Sequence, residues 1–216
     1  MSRESKNTYL SNRIKEGEHK QQDFKYEIND SKKIARSLSA FANTEGGRLL
    51  IGVKDNGKIK GVSSDEEYHM IEAASQMHTR PQVPFITEKH EHKGLTVLEI
   101  IVKTDANGPY LAPDPRGRMR AYIRVDDQNR IADPIQFMVW KNRKNQRSVE
   151  IRYTEAEQFL LNYLAVHKYI TQKQFIKYAG ISRAKAVRIL SNMAGLNLIK
   201  ILHTEGETLF AAGEEV

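Results

Sequence analysis

The chain has 216 residues, 39% of them hydrophobic, with 34 Lys and Arg against 27 Asp and Glu for a net charge of +7, and no cysteine. That length suits one large or two small domains with real cores; the missing cysteines exclude disulfides and thiolate metal sites. No apolar run is long enough to span a membrane and the N-terminus has no apolar export segment, so a cytoplasmic protein without a membrane partner is expected.

Residues 1–17 are polar and read as an N-terminal arm or a short docking helix. A helix is predicted from Asp30-Ser31 to Ala42, with Ile34, Leu38 and Phe41 recurring at helical spacing. Gly46 and Gly47 suit a left-handed stop after it. Leu49–Val53 reads as a buried strand, and Asn56-Gly57 as a hairpin turn into Lys58–Val62. Asp65–Thr79 is predicted as a helix with Tyr68, Ile71, Ala74 and Met77 or His78 on one face, ended by Pro81 and Pro84. Phe85–His90 and Leu95–Val102 read as strands joined around Lys93-Gly94. Gly108-Pro109-Tyr110 and Pro113-Asp114-Pro115 carry loop chemistry. Met119–Val125 is a further strand, and Ala132–Lys144 a short helix. Intermixed helices and strands predict an α+β domain with a mixed sheet over residues 18–140.

Residues 141–153 hold five Lys or Arg and little apolar content up to Arg152, and read as a basic linker. Residues 154–216 form a second pattern. Thr154 and Glu157 suit a capping box for a helix through Val166. Thr171–Tyr178 and Arg183–Met193 make two more helices around Gly180-Ile181-Ser182, and Leu198–Leu202 with Thr208–Ala212 make a hairpin. Three helices followed by a hairpin is the winged helix-turn-helix order. On the third helix Ala186, Ile189, Leu190 and Met193 share one face, leaving Arg183, Lys185, Arg188 and Asn192 to reach phosphates and base edges. A solvated helix in a dimerisation wing is the plain alternative.

The first half carries a specific set of motifs: Glu18, then Asp23-Phe24-Lys25, then Ala40 to Gly47, then Ile51 to Gly57, and further on Gly108-Pro109-Tyr110 and Ala121-Tyr122-Ile123-Arg124. This run resembles the Schlafen-type AlbA domain, a family also labelled a divergent AAA-type ATPase domain, over roughly residues 10–140. The resemblance implies contact with DNA or RNA. In RNA-cleaving Schlafen proteins the motif carries an acidic triad, and the matching positions here are Glu18, Asp23 and Asp55. Hard carboxylate oxygens at such positions hold Mg²⁺ or Mn²⁺, which polarises a phosphate and generates hydroxide. The family's usual Glu before Phe-Lys is Asp23 here, one methylene shorter. Structural acids, with Asp55 serving the Asp55-Asn56-Gly57 turn, are the alternative.

Gly52 to Lys58 fits the first part of a phosphate-loop pattern, but Ile59 stands where Ser or Thr is needed and a strand follows, so no phosphate cradle is expected. His90 and His92 read as exposed strand-end residues. Arg118, Arg120 and Arg124 share parity on one strand and, with Lys25, would offer phosphate contacts; a solvated sheet face is the alternative.

The reading that joins these features is a nucleic-acid-binding protein, foremost a DNA-binding transcriptional regulator acting as a homodimer and needing no cofactor. A metal-dependent endoribonuclease using Glu18, Asp23 and Asp55 with Mg²⁺ or Mn²⁺ is one rival. A protein-interaction adaptor is another.

Overall fold

In a computed structural model, residues 3–62, 65–105, 107–144 and 153–213 are described. Most of the expected basic linker lies outside them. The described chain divides into two compact units, residues 1–131 and 132–216.

The first unit runs α1 (Arg3–Glu16), β1 (Gln22–Lys25), α2 (Ser31–Ala42), β2 (Gly47–Ile51), α3 (Glu66–His78), β3 (Ile86–His92), β4 (Leu95–Val102), β5 (Leu111–Pro113), β6 (Met119–Val125) and β7 (Gln128–Ile131). A four-stranded sheet has the order β1-β2-β4-β3, with β1 and β2 parallel and the other pairs antiparallel. A separate antiparallel sheet has the order β5-β6-β7. The mixed α+β class is as the sequence reads.

Strand alternation sends side chains to two cores. Leu49, Ile51, Leu98, Ile100 and Val102 pack with Ile34, Leu38 and Phe41 of α2 and Ile71 and Ala74 of α3. Leu50, Val97 and Phe24 face the other way and pack with Leu10 and Ile14 of α1. So the polar arm is a docked helix.

The α2 helix begins where Asp30 accepts the N–H groups of Lys32 and Lys33, a side-chain N-cap. It is buried on more than the expected stripe, because it contacts both sheets. Ser37 and Ser39 are buried and hydrogen-bonded: Ser39 donates to Tyr110 O at 2.7 Å, and Ser37 Oγ accepts from Asn129 at 2.8 Å. After α2 the chain turns at Gly46, whose φ is +73°, and Gly47 lies so near Phe41 that a Cβ would meet its ring at 2.3 Å.

Three expectations differ here. The segment after the Asn56-Gly57 turn makes only a single bridge, Val53 to Ile59, rather than a second full strand. Of Met77 or His78, Met77 is 65% exposed and His78 half-buried, and Ser75 joins Ile71 and Ala74 in the buried stripe of α3, with Tyr68 packed against the same core. His90 is 4% exposed rather than surface-lying, for it faces α1 and binds Glu99.

The second unit runs α4 (Pro134–Lys144), α5 (Glu155–Val166), β8 (Ile170–Thr171), α6 (Gln172–Ala179), α7 (Arg183–Gly195), β9 (Ile199–His203) and β10 (Thr208–Ala212). Its sheet is antiparallel, ordered β8-β10-β9. Its core joins Leu160, Ile170, Phe175, Ala186, Ile189, Leu190, Met193 and Phe210, and also Ile135 and Val139 of α4. The division therefore falls between Ile131 and Ala132, ahead of the linker the sequence predicts, because α4 buries its apolar face against α7. The complete capping box is at Thr171 and Gln174 rather than Thr154 and Glu157, where the Thr154 hydroxyl bonds the Glu157 carboxylate and no backbone N–H.

Candidate functional site

In the first unit β1 and β2 run parallel, placing Asp23 opposite Leu49 and Lys25 opposite Ile51. Asp23 is 5% exposed and faces α2 rather than α1, since its neighbour Phe24 fills the α1 core. The Lys25 ammonium lies 2.9 Å from Asp23 Oδ2, and Arg124 Nη1 lies 3.9 Å from the same oxygen. Glu18 accepts the Phe24 N–H at 2.9 Å. Burial, then the hydrogen bond to Asp23, hold the Glu18 carboxyl above the usual carboxylate range; the Phe24 N–H and Lys25 pull the other way.

Asp55 does not join them. It is exposed on the turn closed by the Gly57 N–H to Lys54 O bond, past the end of β2. Among the described residues, ligating groups come within 4.8 Å of one another in a set of three only at Glu88, His90 and Glu99. The expected carboxylates thus do not converge as a divalent-cation set, and Asp23 is already neutralised by two cations. The residues present do not fit that metal. The phosphate-loop pattern is likewise absent, because the bridged segment around Ile59 follows Gly57-Lys58 where a helix N-terminus would be needed.

Arg124 is 2% exposed rather than part of a surface strip. Its guanidinium lies 4.9 Å over the Phe41 ring. Nη1 donates to Asn129 Oδ1 at 3.0 Å and Nη2 to His19 O at 3.1 Å. Burial lowers its pKa, opposed first by Asp23 and then by Asp127 and Glu18. Arg118 is exposed but tied to Asp114 at 2.8 Å, and Arg120 stands 3.8 Å from the same carboxylate. Asp114 also accepts the N–H groups of Arg116 and Arg118, which fixes the turn between β5 and β6. The arginine strand is thus one buried arginine and two others leaning on a turn aspartate.

Two groups escaped the sequence reading. Glu99, fully buried, accepts from Tyr9 at 3.0 Å and pairs with His90 Nε2 at 2.7 Å and Arg48 at 3.4 Å. Its only sequence signal is a charge inside the apolar run of β4. Lys33 and Arg36, on α2, line a cleft with Lys25 and Arg124; their helical spacing was visible but their facing strand was not.

In the second unit α7 starts at Ser182, whose side chain accepts the Lys185 N–H at 3.2 Å. Ala186, Ile189, Leu190 and Met193 are buried as predicted. Arg183 and Arg188 are exposed, and Lys185 and Asn192 half-exposed. The charged ends of Arg183, Lys185 and Arg188 have no hydrogen bond or ion pair to another of the described residues.

The chain matches no curated protein. Among solved structures, the crystal structure of the DIP2311 protein from Corynebacterium diphtheriae is similar at 18% identity, with a TM-score of 0.44. That match covers 88% of this chain and 34% of the other, so the chain spans about a third of that protein. The family described as Schlafen, AlbA_2 matches residues 18–133. That segment is more than half of the chain and contains the β1 carboxylate, the α2 helix and the β6 arginine described above: the chain belongs to the Schlafen AlbA_2 family.

Proposed function

We propose that the protein binds nucleic acid and acts as a DNA-binding transcriptional regulator, with its C-terminal unit serving as a winged helix-turn-helix. The observation that carries this reading is α7. One face is locked into the core, while Arg183, Lys185 and Arg188 hold their charges away from any described protein partner. A rigid helix with uncommitted cations is what a major groove accepts, because phosphates replace solvent around each charge. The order of α5, α6 and α7 before the β9–β10 hairpin supports the same reading, as does the net charge of +7. The hairpin tip carries Glu205 and Glu207, which disfavours minor-groove contact there and leaves α7 as the reading element. Two copies on adjacent half-sites would supply the affinity a single such unit lacks.

The test is a duplex DNA titration of the full chain across a salt series. Lys185→Ala with Arg188→Ala is expected to weaken binding and reduce the magnitude of the log–log salt slope by roughly 2, with circular dichroism unchanged. Unaltered affinity and slope would move the interface off α7.

A further inference from the structure

In the first unit, β1, α2 and the β6–β7 hairpin enclose an open cleft of about 630 Å³. Lys25, Lys33, Arg36, Arg124 and Arg130 contribute five cations to its lining, against the acids Asp23 and Asp127. Asp23 already lies beside Lys25 and Arg124, so little negative charge remains to offset the rest. The Lys33 ammonium makes no hydrogen bond or ion pair to another described residue. Arg36 donates Nε to Pro113 O at 2.7 Å, its one side-chain bond among them.

The decisive group is Arg124. It is cut off from solvent, both terminal nitrogens have partners, and its Nε has none among the described residues. A buried donor without an acceptor is costly, and it costs least when a ligand supplies the acceptor. A concave, partly desolvated wall of one sign also focuses potential inward. The matching ligand is compact, carries more than one negative charge and offers several acceptor oxygens. A cation fits none of these terms.

We propose that this cleft is an anion site for a terminal phosphate monoester, borne by a free mononucleotide or by the end of an oligonucleotide, and separate from α7. A monoester brings the second charge and the extra oxygens that a backbone diester lacks. Clefts of this size commonly take nucleotide-sized ligands. The inference stands apart from the duplex-DNA reading.

Isothermal titration of the full chain with AMP and with adenosine tests it, alongside 5′-phosphorylated and 5′-hydroxyl forms of one short single-stranded oligonucleotide. Phosphorylated ligands should bind at least about tenfold more tightly than their unphosphorylated forms, from two or more charge-assisted hydrogen bonds. Lys33→Gln with Arg36→Gln should erase that preference, while Lys185→Ala with Arg188→Ala should keep it. Preference for AMP alone assigns a free nucleotide, and for the oligonucleotide alone a strand end; either supports the site. Equal binding of AMP and adenosine together with equal binding of both oligonucleotides overturns it. So does a preference unchanged in the Lys33 and Arg36 variant, or binding that needs Mn²⁺ and is abolished by EDTA. Loss of duplex binding in the α7 variant bears only on the earlier reading.

Discussion

Asn43 uses its whole amide on distant backbone. Its Oδ1 accepts the Tyr110 N–H at 2.8 Å, and its Nδ2 donates to Tyr110 O at 2.7 Å and Tyr122 O at 3.0 Å. Next to it, Thr44 Oγ1 donates to Ala40 O and accepts the Arg124 N–H at 2.9 Å. This pair clamps β5 and β6 onto the end of α2. Asn43→Ala would strip the Tyr110 N–H of its acceptor and Tyr122 O of a donor, while Tyr110 O keeps the Ser39 hydroxyl, so it should cost roughly 2 kcal/mol. In a urea titration the midpoint should drop with the slope unchanged. The Asn-Thr pair was legible as a family motif, but its role was not, because its partners lie 67 and 79 residues along the chain.

Glu99 gives a second residue-scale outcome. Burial would raise its pKa, yet the bonds from His90 and Tyr9 and the charge of Arg48 outweigh burial and lower it. A carboxylate whose folded pKa is depressed adds stability above its unfolded pKa and loses it as pH falls through the folded value. Glu99→Gln should therefore trail the native protein above the unfolded carboxylate range, and the gap should close as pH falls below about 4.5. Guanidinium melts at successive pH values read it directly. A gap that widened as pH fell below about 4.5 would contradict the assignment. Sequence could place this Glu in a strand but could not show that Tyr9 and Arg48 meet it.

At the scale of elements, long periodic segments were readable and short ones were not. The spacing over α2, α3, α5, α6 and α7 predicts each helix to within a few residues, because each repeats its apolar positions over two or more turns. The strands β1, β5, β7 and β8 have four residues or fewer, too short for alternation to register, and their pairing comes from partners elsewhere in the chain. The α4 helix was visible, but an apolar stripe does not name what it packs against. Since Ile135 and Val139 sit in the second core, a fragment of residues 132–216 should fold more stably than one of residues 154–216. Losing two buried aliphatic side chains costs roughly 3–6 kcal/mol, enough to lower Tm by more than about 10 °C. Equal melting temperatures would return α4 to the first unit.

For the molecule as a whole, length and composition suited one large or two small cysteine-free domains with a net charge of +7, and the described chain divides into two compact units. What composition could not say is how the charge is used. Some of it is absorbed: Arg124 reaches from β6 onto the Phe41 ring and is buried there, and Arg118 and Arg120 lean on Asp114. Some is open, on α7 and along the cleft beside α2. Parity along a strand is blind to that difference, since it shows which residues share a side but not whether another layer covers it.

The position of α2 between two sheets also bears on how the chain is made. Ser39 emerges during synthesis well before Tyr122, the residue whose N–H it will accept 83 positions later. At about 5–20 residues per second, that interval lasts roughly 4–16 s. During it, one flank of the helix can settle against β2 while the other, with Ser37, Ser39 and Asn43, waits for strands that do not yet exist. Hydroxyl and amide groups thus break up the apolar surface of that waiting flank, so the serines buried in the finished core also suit a helix that is still half in water.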